Sequence, residues 1–300
     1  MKKLIVDKKY QGKKLNQFLL ENIPNLSSNL FYKTLRKKDI KVNGKRVSEN
    51  IILYEKDEIL FYLADHFLSP TFFLDIFYED ENILVLNKPY NLEVTGKDSL
   101  TSYVQEAYSS SEFLPMPCHR IDRNTNGLVL FAKNKESLSI LLTKFKQHEI
   151  EKHYLAWVYG FPKESEKRCE AYLFKDQKKS CVYISDFFKK GYQKIITTYH
   201  VLKKYPNHTS LLDIEIETGK THQIRAHLAH LGYPIIGDGK YGKNEINKIF
   251  KAKNQKLCSY KMKFNFQLEN SILNYLNGKS FVLEKSTIKN EIEKYIKPKN

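Results

Sequence analysis

The sequence predicts an α+β protein in which a large, mostly antiparallel mixed sheet with flanking helices, residues 75–300, follows a small α/β module at residues 1–64. Three observations lead there. Between Ile76 and Glu217, short apolar runs of strand character succeed one another with few helical stretches between them. Ahead of them lies a different pattern, two short helices and a hairpin, set apart by residues 65–74, where Ser69-Pro70 reads as a linker break. Charge divides the chain the same way: residues 1–64 hold 14 Lys/Arg against 7 Asp/Glu, residues 240–300 hold 14 against 5, and residues 65–239 hold 22 of each.

The net charge of +16 points to a polyanionic partner, and its confinement to the flanks suggests ends that grip phosphate around a centre with another task. A hydrophobic share of 41% suffices for a sizeable core and argues against intrinsic disorder. No apolar run approaches the ~20 residues needed to span a bilayer. Asp7 interrupts the start before a signal-peptide apolar region forms. A soluble, cytoplasmic protein is expected. Cys118, Cys169, Cys181 and Cys258 are scattered, without Cys-x-x-Cys spacing, and read as reduced thiols.

In the first module, Leu15, Phe18 and Leu19 mark one face of a helix that Pro24 must end. Ser27 or Ser28 caps a second helix, with Leu30, Phe31 and Leu35 inward and Lys33, Arg36 and Lys37 on another face. Asn43-Gly44, between short alternating runs in Ile40–Val47, signals a hairpin turn and adds Lys45 and Arg46 to the basic cluster. Two helices and a basic hairpin resemble the S4-type RNA-binding module. That resemblance implies that Lys33, Arg36, Lys37, Lys45 and Arg46 touch RNA phosphates.

Beyond the linker, Ile76–Tyr78, a turn at Glu79–Asn82 and Ile83–Leu86 form a hairpin ending at Asn87-Lys88-Pro89. Gly127–Ala132 is a buried strand. Leu138, Leu141, Leu142 and Phe145 make the inner stripe of a helix. Tyr154–Tyr159 is a strand closed by Gly160, with Trp157 in the core, and further strands fall near 169–174, 181–187, 194–202 and 210–217. Thr221 caps a short helix that turns Ile224, Leu228 and Leu231 inward, with Gly232 past its end.

The densest polar cluster is Cys118-His119-Arg120-Ile121-Asp122-Arg123-Asn124-Thr125-Asn126-Gly127, immediately before the buried strand. A carboxylate between two arginines is unusual there, since a neighbouring arginine orients a carboxylate and favours its charged form. By itself the segment also suits an aspartate that merely closes a turn with Asn124 and Gly127. Gly219-Lys220-Thr221 is no phosphate-binding loop, because the glycine required five residues earlier is Ile214. His222, His227 and His230 lack metal-site spacing and read as packing or surface groups, so no metal is expected.

His119-Arg-Ile-Asp122-Arg-Asn-Thr125-Asn-Gly127 resembles the His-Arg-x-Asp-x-x-Thr-x-Gly signature of the RluA-type pseudouridine synthases. Three more landmarks of that family follow its order. Ile76–Pro89 is similar to the opening strand pair, and Lys152-His-Tyr154-Leu-Ala156 to the Lys-x-Tyr-x-Ala strand. Thr218–His227, with Pro234–Asp238 and Tyr241-Gly242, is similar to the Thr-Gly-Arg-Thr-His-Gln-x-Arg-x-His segment. The likeness runs over about residues 12–266. Lys220 stands for the usual Arg, Asn126 for Ser, Asn91 for Gly, and Asn16 for an Asp of the S4-like part. These departures bear on the choice of RNA more than on the reaction.

The resemblance implies the pseudouridine synthase fold and gives Asp122 the central role, as nucleophile toward C1′ or as base at the sugar. It implies that Arg225 pairs with Asp122, and that Tyr154 stacks on uracil and helps take the proton from C5. His119 and Arg120 would contact substrate, Arg120 filling the space a flipped nucleotide leaves. The isomerisation is redox-neutral, so no cofactor is implied. Structured RNA is the implied partner, large-subunit ribosomal RNA ahead of transfer RNA because the S4-like module offers a second grip. No membrane and no obligate protein partner are implied. The rival reading is a non-catalytic RNA-binding or ribosome-assembly protein, which would have no reason to keep Asp122, Tyr154 and Arg225 together. A zinc deaminase would require a His/Cys-x-x-Cys set that the sequence lacks.

Overall fold

A computed structural model describes residues 2–23, 26, 28–62, 74–267, 271–284, 290 and 292. Pro24, Ser27 and the linker at 65–74, apart from Leu74, lie outside the described residues, as do the side chains of Leu30 and Lys33. The chain divides into two compact units, Met1–Leu74 and Asp75–Asn300.

The first unit runs β1 (Lys2–Ile5), α1 (Leu15–Asn22), α2 (Ser28–Arg36), β2 (Ile40–Val42), β3 (Lys45–Arg46) and β4 (Glu58–Phe61). Its strands form an antiparallel sheet in the order β1-β4-β2-β3. Leu15, Phe18 and Leu19 of α1 and Phe31 and Leu35 of α2 pack with Ile40, Ile59 and Phe61 of the sheet, so the helical stripes and the strand alternation share one core. Asn43 and Gly44 sit at φ 51° and 78°, the left-handed pair that a two-residue hairpin turn needs to match strand twist. The Asn43 side chain adds a tie, donating to Asp57 Oδ1 and accepting from the Glu58 N–H, both at 2.8 Å.

The second unit begins with β5 (Ile76–Glu79), β6 (Ile83–Lys88), α3 (Leu100–Ala107), β7 (Met116–Pro117), β8 (Asn126–Ala132) and α4 (Lys135–Lys146). It continues with β9 (Ile150–Tyr159), β10 (Glu166–Asp176), β11 (Cys181–Ser185), β12 (Gln193–Tyr205), β13 (Thr209–Ile216) and α5 (Gln223–His230). Last come α6 (Asn244–Ile249), β14 (Leu257–Phe264) and β15 (Ser280–Val282). The strands build one 11-stranded sheet along the path β11-β10-β12-β13-β9-β14-β8-β6-β5, with β15 on β14 and β7 on β8. β14 and β8 run parallel and the other pairs antiparallel, so the expected mostly antiparallel mixed sheet is what the chain forms.

Three details differ from the sequence reading. Leu142 is exposed, because it lies about 100° round the helix from Leu141; Ser137, Leu141 and the buried Lys144 line the inner row of α4 instead. Thr221 does not cap α5. Its first turn follows His222, which is left-handed at φ 54°, and Gln223 organises it by accepting from the Lys220 N–H at 3.1 Å and the Thr218 hydroxyl at 2.9 Å. The far end closes as expected at Gly232 (φ 90°), with the Tyr233 N–H donating to the Leu228 carbonyl at 2.8 Å. Leu231 is only half-buried.

One close approach places the functional loop. Ser259 of β14 registers with Tyr154 of β9 on one side and Gly127 of β8 on the other. A Cβ on Gly127 would lie 2.2 Å from the Ser259 carbonyl oxygen, so β8 and β14 meet only because residue 127 has no side chain. The entrance of β8, with the 118–125 segment, is thereby set one strand away from Tyr154, across β14.

Candidate active site

Four groups of contacts fix the loop before β8. Lys88, fully buried at the end of β6, donates to the carbonyls of Pro89 (2.9 Å), Leu92 (2.7 Å) and Arg123 (3.1 Å). Burial pulls its pKa down to about 7, with the charge of Asp122 opposing. Arg123 Nε donates to the Asn91 carbonyl at 3.2 Å, and Gln255 Nε2 to Thr125 Oγ1 at 2.7 Å. His119 Nε2 accepts from the Leu130 N–H at 3.0 Å, which leaves the ring proton on Nδ1. Burial, aided by the charge of Lys152, lowers the His119 pKa to about 3, so the ring is neutral at physiological pH.

Against this loop stands Arg225, in the first turn of α5. Its Nη1 donates to Asp122 Oδ2 at 2.9 Å. Its Nε and Nη2 grip Asp238 in a bidentate pair at 2.7 and 3.0 Å, and the ring of Tyr241 lies 5.3 Å from the guanidinium carbon. Burial would raise the Asp238 carboxyl, but the hydrogen bonds and charge of Arg225 outweigh it and hold that pKa below the ordinary range. Burial likewise opposes the charge on Arg225, and the two aspartates overcome it. Both groups are therefore charged, and a fixed guanidinium orients Asp122 across a sequence separation of 103 residues. Tyr241 supports the wall a second way, its hydroxyl accepting from the Val182 N–H at 2.9 Å and meeting His222 Nδ1 at 2.9 Å.

Tyr154 is buried on β9, hydrogen-bonded to Ser259, and its phenol pKa is raised by burial and then by the charge of Asp122. It is a neutral phenol at physiological pH. The cleft in front of it, about 220 Å³, is lined by His119, Arg120, Asp122, Lys152, Tyr154, Gly219, His222 and Arg225 among others. A second cleft of about 280 Å³ adjoins it and shares Arg120, Ile121, Asp122, His222 and Arg225. Asp122 therefore stands where the two meet. The five second-unit residues singled out from sequence, His119, Arg120, Asp122, Tyr154 and Arg225, gather here.

The basic residues belong to the first unit. Arg36, Lys37, Lys45 and Arg46 are exposed, and Arg46 Nη1 donates to the Lys38 carbonyl at 3.3 Å, which holds the hairpin against the end of α2. Among the described residues none of the four has a carboxylate partner. The side chain of Lys33 lies outside the described residues. Sequence reasoning gave no role to Asp238, Lys152, Lys88 or Gln255. Asp238 and Lys152 sit inside matched segments, and Lys152 is two residues from Tyr154 on one strand, hence on its face. Nothing local marks Gln255. Among the described residues, no group of three or more His, Cys, Asp or Glu side chains is gathered as a metal site, and no helix is long and apolar enough to cross a membrane.

Residues 82–230 match the profile of the RNA pseudouridylate synthase family. Ribosomal large subunit pseudouridine synthase C of Buchnera aphidicola subsp. Acyrthosiphon pisum is 30% identical over 263 residues, 83% of this chain and 83% of that protein. The chain belongs to the RNA pseudouridylate synthase family. The synthase is also 32% identical to ribosomal large subunit pseudouridine synthase C of Vibrio vulnificus, over 79% of each chain. It is 32% identical to an RNA pseudouridine synthase of Mycoplasma capricolum, over 94% of this chain and 97% of that one. Its fold is that of the human RNA Pseudouridylate Synthase Domain Containing 4, with a TM-score of 0.60, 21% identity and coverage of 73% of this chain and 91% of that one. Human RNA Pseudouridylate Synthase Domain Containing 1 superposes with a TM-score of 0.55 at 21% identity, over 76% of this chain and 97% of that one. The synthase is an isomerase that converts uridine in RNA to pseudouridine.

Proposed function

We propose that this synthase isomerises uridine in large-subunit ribosomal RNA, in the cytoplasm, with Asp122 as its catalytic carboxylate and the first unit as an S4-like RNA grip. The contact of Arg225 Nη1 with Asp122 Oδ2 at 2.9 Å, beside Tyr154 in one cleft, carries the reading. A uridine turned out of its stack enters the cleft with its ribose against Asp122 and its ring against Tyr154. The N1–C1′ bond breaks, the base turns, and C5 bonds to C1′; the C5 proton leaves and N1 gains one. Asp122 acts either on C1′ or on the sugar proton, and the clamp of Arg225 and Asp238 holds it at one distance in both cases. With its phenol neutral, Tyr154 serves as a stacking surface and passes a proton only through its hydroxyl, not as a standing phenolate.

The names of the Buchnera and Vibrio relatives support ribosomal RNA as substrate, and the exposed basic helix end and hairpin support a second grip away from the reacting uridine. Transfer RNA is the other substrate, and no feature of the molecule favours it. The test is pseudouridine mapping of ribosomal and transfer RNA from cells with and without the gene, and from cells carrying only Asp122→Asn. A site in large-subunit RNA should vanish in both altered strains. Loss confined to transfer RNA would replace the substrate, and modification persisting with Asp122→Asn would remove Asp122 from its role.

A further inference from the structure

Lys152 is a cleft residue to which the proposed reaction has so far given no role. It is half-buried and lines the cleft, and this partial burial lowers its pKa with no carboxylate near enough to oppose the fall. Among the described residues it has no hydrogen-bond acceptor; Nζ lies 5.4 Å from the centre of the Phe145 ring and close to the backbone at Gly219, where an added Cβ would come within 3.5 Å. Three buried cations of this unit have acceptors. Lys88 holds three carbonyls, Lys144 holds Glu149 at 2.9 Å, and Arg225 holds Asp122 and Asp238. An ammonium held at a cleft wall without an acceptor from the protein is free to take one from a ligand. Its place says which ligand. Lys152 and Tyr154 alternate on one face of β9, so their Cα atoms are about 6.5 Å apart, roughly the reach of a pyrimidine from its glycosidic bond to its far edge. His119, on the same wall, is neutral.

We infer that the Lys152 ammonium binds a carbonyl oxygen of the uracil ring and stabilises the negative charge that the ring takes up as its bond to ribose breaks. The inference rests on the proposed reaction. When N1–C1′ cleaves, the bonding pair stays on N1 and spreads to the O2 and O4 carbonyls, giving a uracil anion, while C1′ is satisfied by a bond to Asp122 or by loss of a sugar proton to it. Re-bonding through C5 takes the pair back, and the proton that leaves C5 is balanced by the one gained at N1. A fixed cation in a dry cleft strengthens as that charge grows, which lowers the barrier rather than only the binding energy. A phosphate oxygen is the competing ligand for an ammonium. The place of Lys152 on the face of Tyr154 favours the base, because phosphates of an extruded nucleotide stay near the mouth, where Arg120 and Lys220 are exposed.

The test is single-turnover kinetics on a large-subunit ribosomal RNA transcript, with wild type, Asp122→Asn, Lys152→Met and Lys152→Arg, and on the same transcript made with 5-fluorouridine. Lys152→Met should slow loss of the N-linked nucleoside about 100-fold, with RNA affinity within about threefold of wild type and Lys152→Arg recovering part of the rate. Fluorine already stabilises the departing anion, so the Lys152→Met defect should shrink about tenfold or more on the fluorinated transcript. A Lys152→Met rate close to wild type, an equal defect on both transcripts, or a loss confined to RNA affinity would each overturn the inference, the last by making Lys152 a phosphate ligand. Should Lys152→Met fail to fold, judged by its thermal transition, Lys152→Gln with the same pair of transcripts decides. Wild type inactive on the transcript while binding it would instead count against the proposed substrate, a separate failure.

Discussion

In the first unit Arg36, Lys37, Lys45 and Arg46 stand in solvent, with no carboxylate partner among the described residues, whereas in the second unit Arg225 is buried between two carboxylates. On the proposed reading both arrangements serve an RNA substrate, but by different physics. Exposed charges act through a screened field, release counterions and tolerate small displacements. A buried guanidinium pair is little screened and strict in geometry, so it can hold a reacting group but contributes little to long-range capture. Of the net charge of +16, residues 1–64 carry +7 and residues 240–300 carry +9, while residues 65–239, which hold Asp122, Arg225 and Asp238, are balanced, so net charge says almost nothing about the chemistry.

The sharpest test of this division is Asp122→Asn. Turnover should fall by on the order of 10⁴-fold or more, while RNA affinity and its dependence on salt stay near wild type. A matching loss of affinity would mean that the cleft, not the first unit, supplies most of the binding.

Next comes Arg225→Lys. One ammonium cannot make the parallel pair with Asp238 and also reach Asp122, so turnover should drop by about 100-fold or more. Breaking a buried pair should also lower stability by ~3–5 kcal/mol. The pH course follows from Asp238. Its folded pKa lies below the ordinary 3.8, so the pairing stabilises the protein above that value and is lost as pH falls below it. Thermal unfolding between pH 7 and 3 should show the acid-side fall in wild type and a smaller one in Asp238→Asn. An unchanged fall would mean that other carboxylates dominate.

How legible these features are in the sequence follows the same divide. The hairpin at Asn43-Gly44, the buried strand at Gly127–Ala132 and the end of α5 at Gly232 are readable because turn chemistry and periodicity act over a few residues. The matched motifs mark Asp122, Tyr154 and Arg225. What they do not show is the third member, Asp238, whose bidentate bond to Arg225 makes the clamp rigid, or Gln255, which reaches back 130 residues to Thr125. Thr221 reads as a cap because a hydroxyl before a helix is the commoner device. Here a left-handed His222 and the side chain of Gln223 take that part instead, and Gln223 is held by Thr197 and Ile196 of a distant strand, which accept from its Nε2.

A smaller effect is expected at the basic cluster. Replacing Arg36, Lys37, Lys45 and Arg46 with Ala should raise KM for RNA by about tenfold or more at physiological salt and leave kcat nearly unchanged. The plot of log affinity against log salt should flatten by ~0.7–0.9 for each phosphate that is no longer neutralised. An unchanged slope would remove these residues from the RNA interface and leave the S4-like reading without its physical basis.

The smallest effect tests whether the hairpin merely carries charge or must be held in one shape. Gly44 is at φ 78° with open space around it, unlike Gly127, where a Cβ would strike the Ser259 carbonyl oxygen. Gly44→Ala should therefore cost only the left-handed strain, ~1–2 kcal/mol, and Gly44→Asn less, because asparagine tolerates that region. If the grip is purely electrostatic, Lys45 and Arg46 keep their charge, and RNA affinity should change less than twofold even as the first unit melts several degrees lower. If affinity falls as far as in the four-residue alanine variant, the hairpin is read by shape, and the contrast between a tolerant surface grip and a strict buried clamp loses one of its sides.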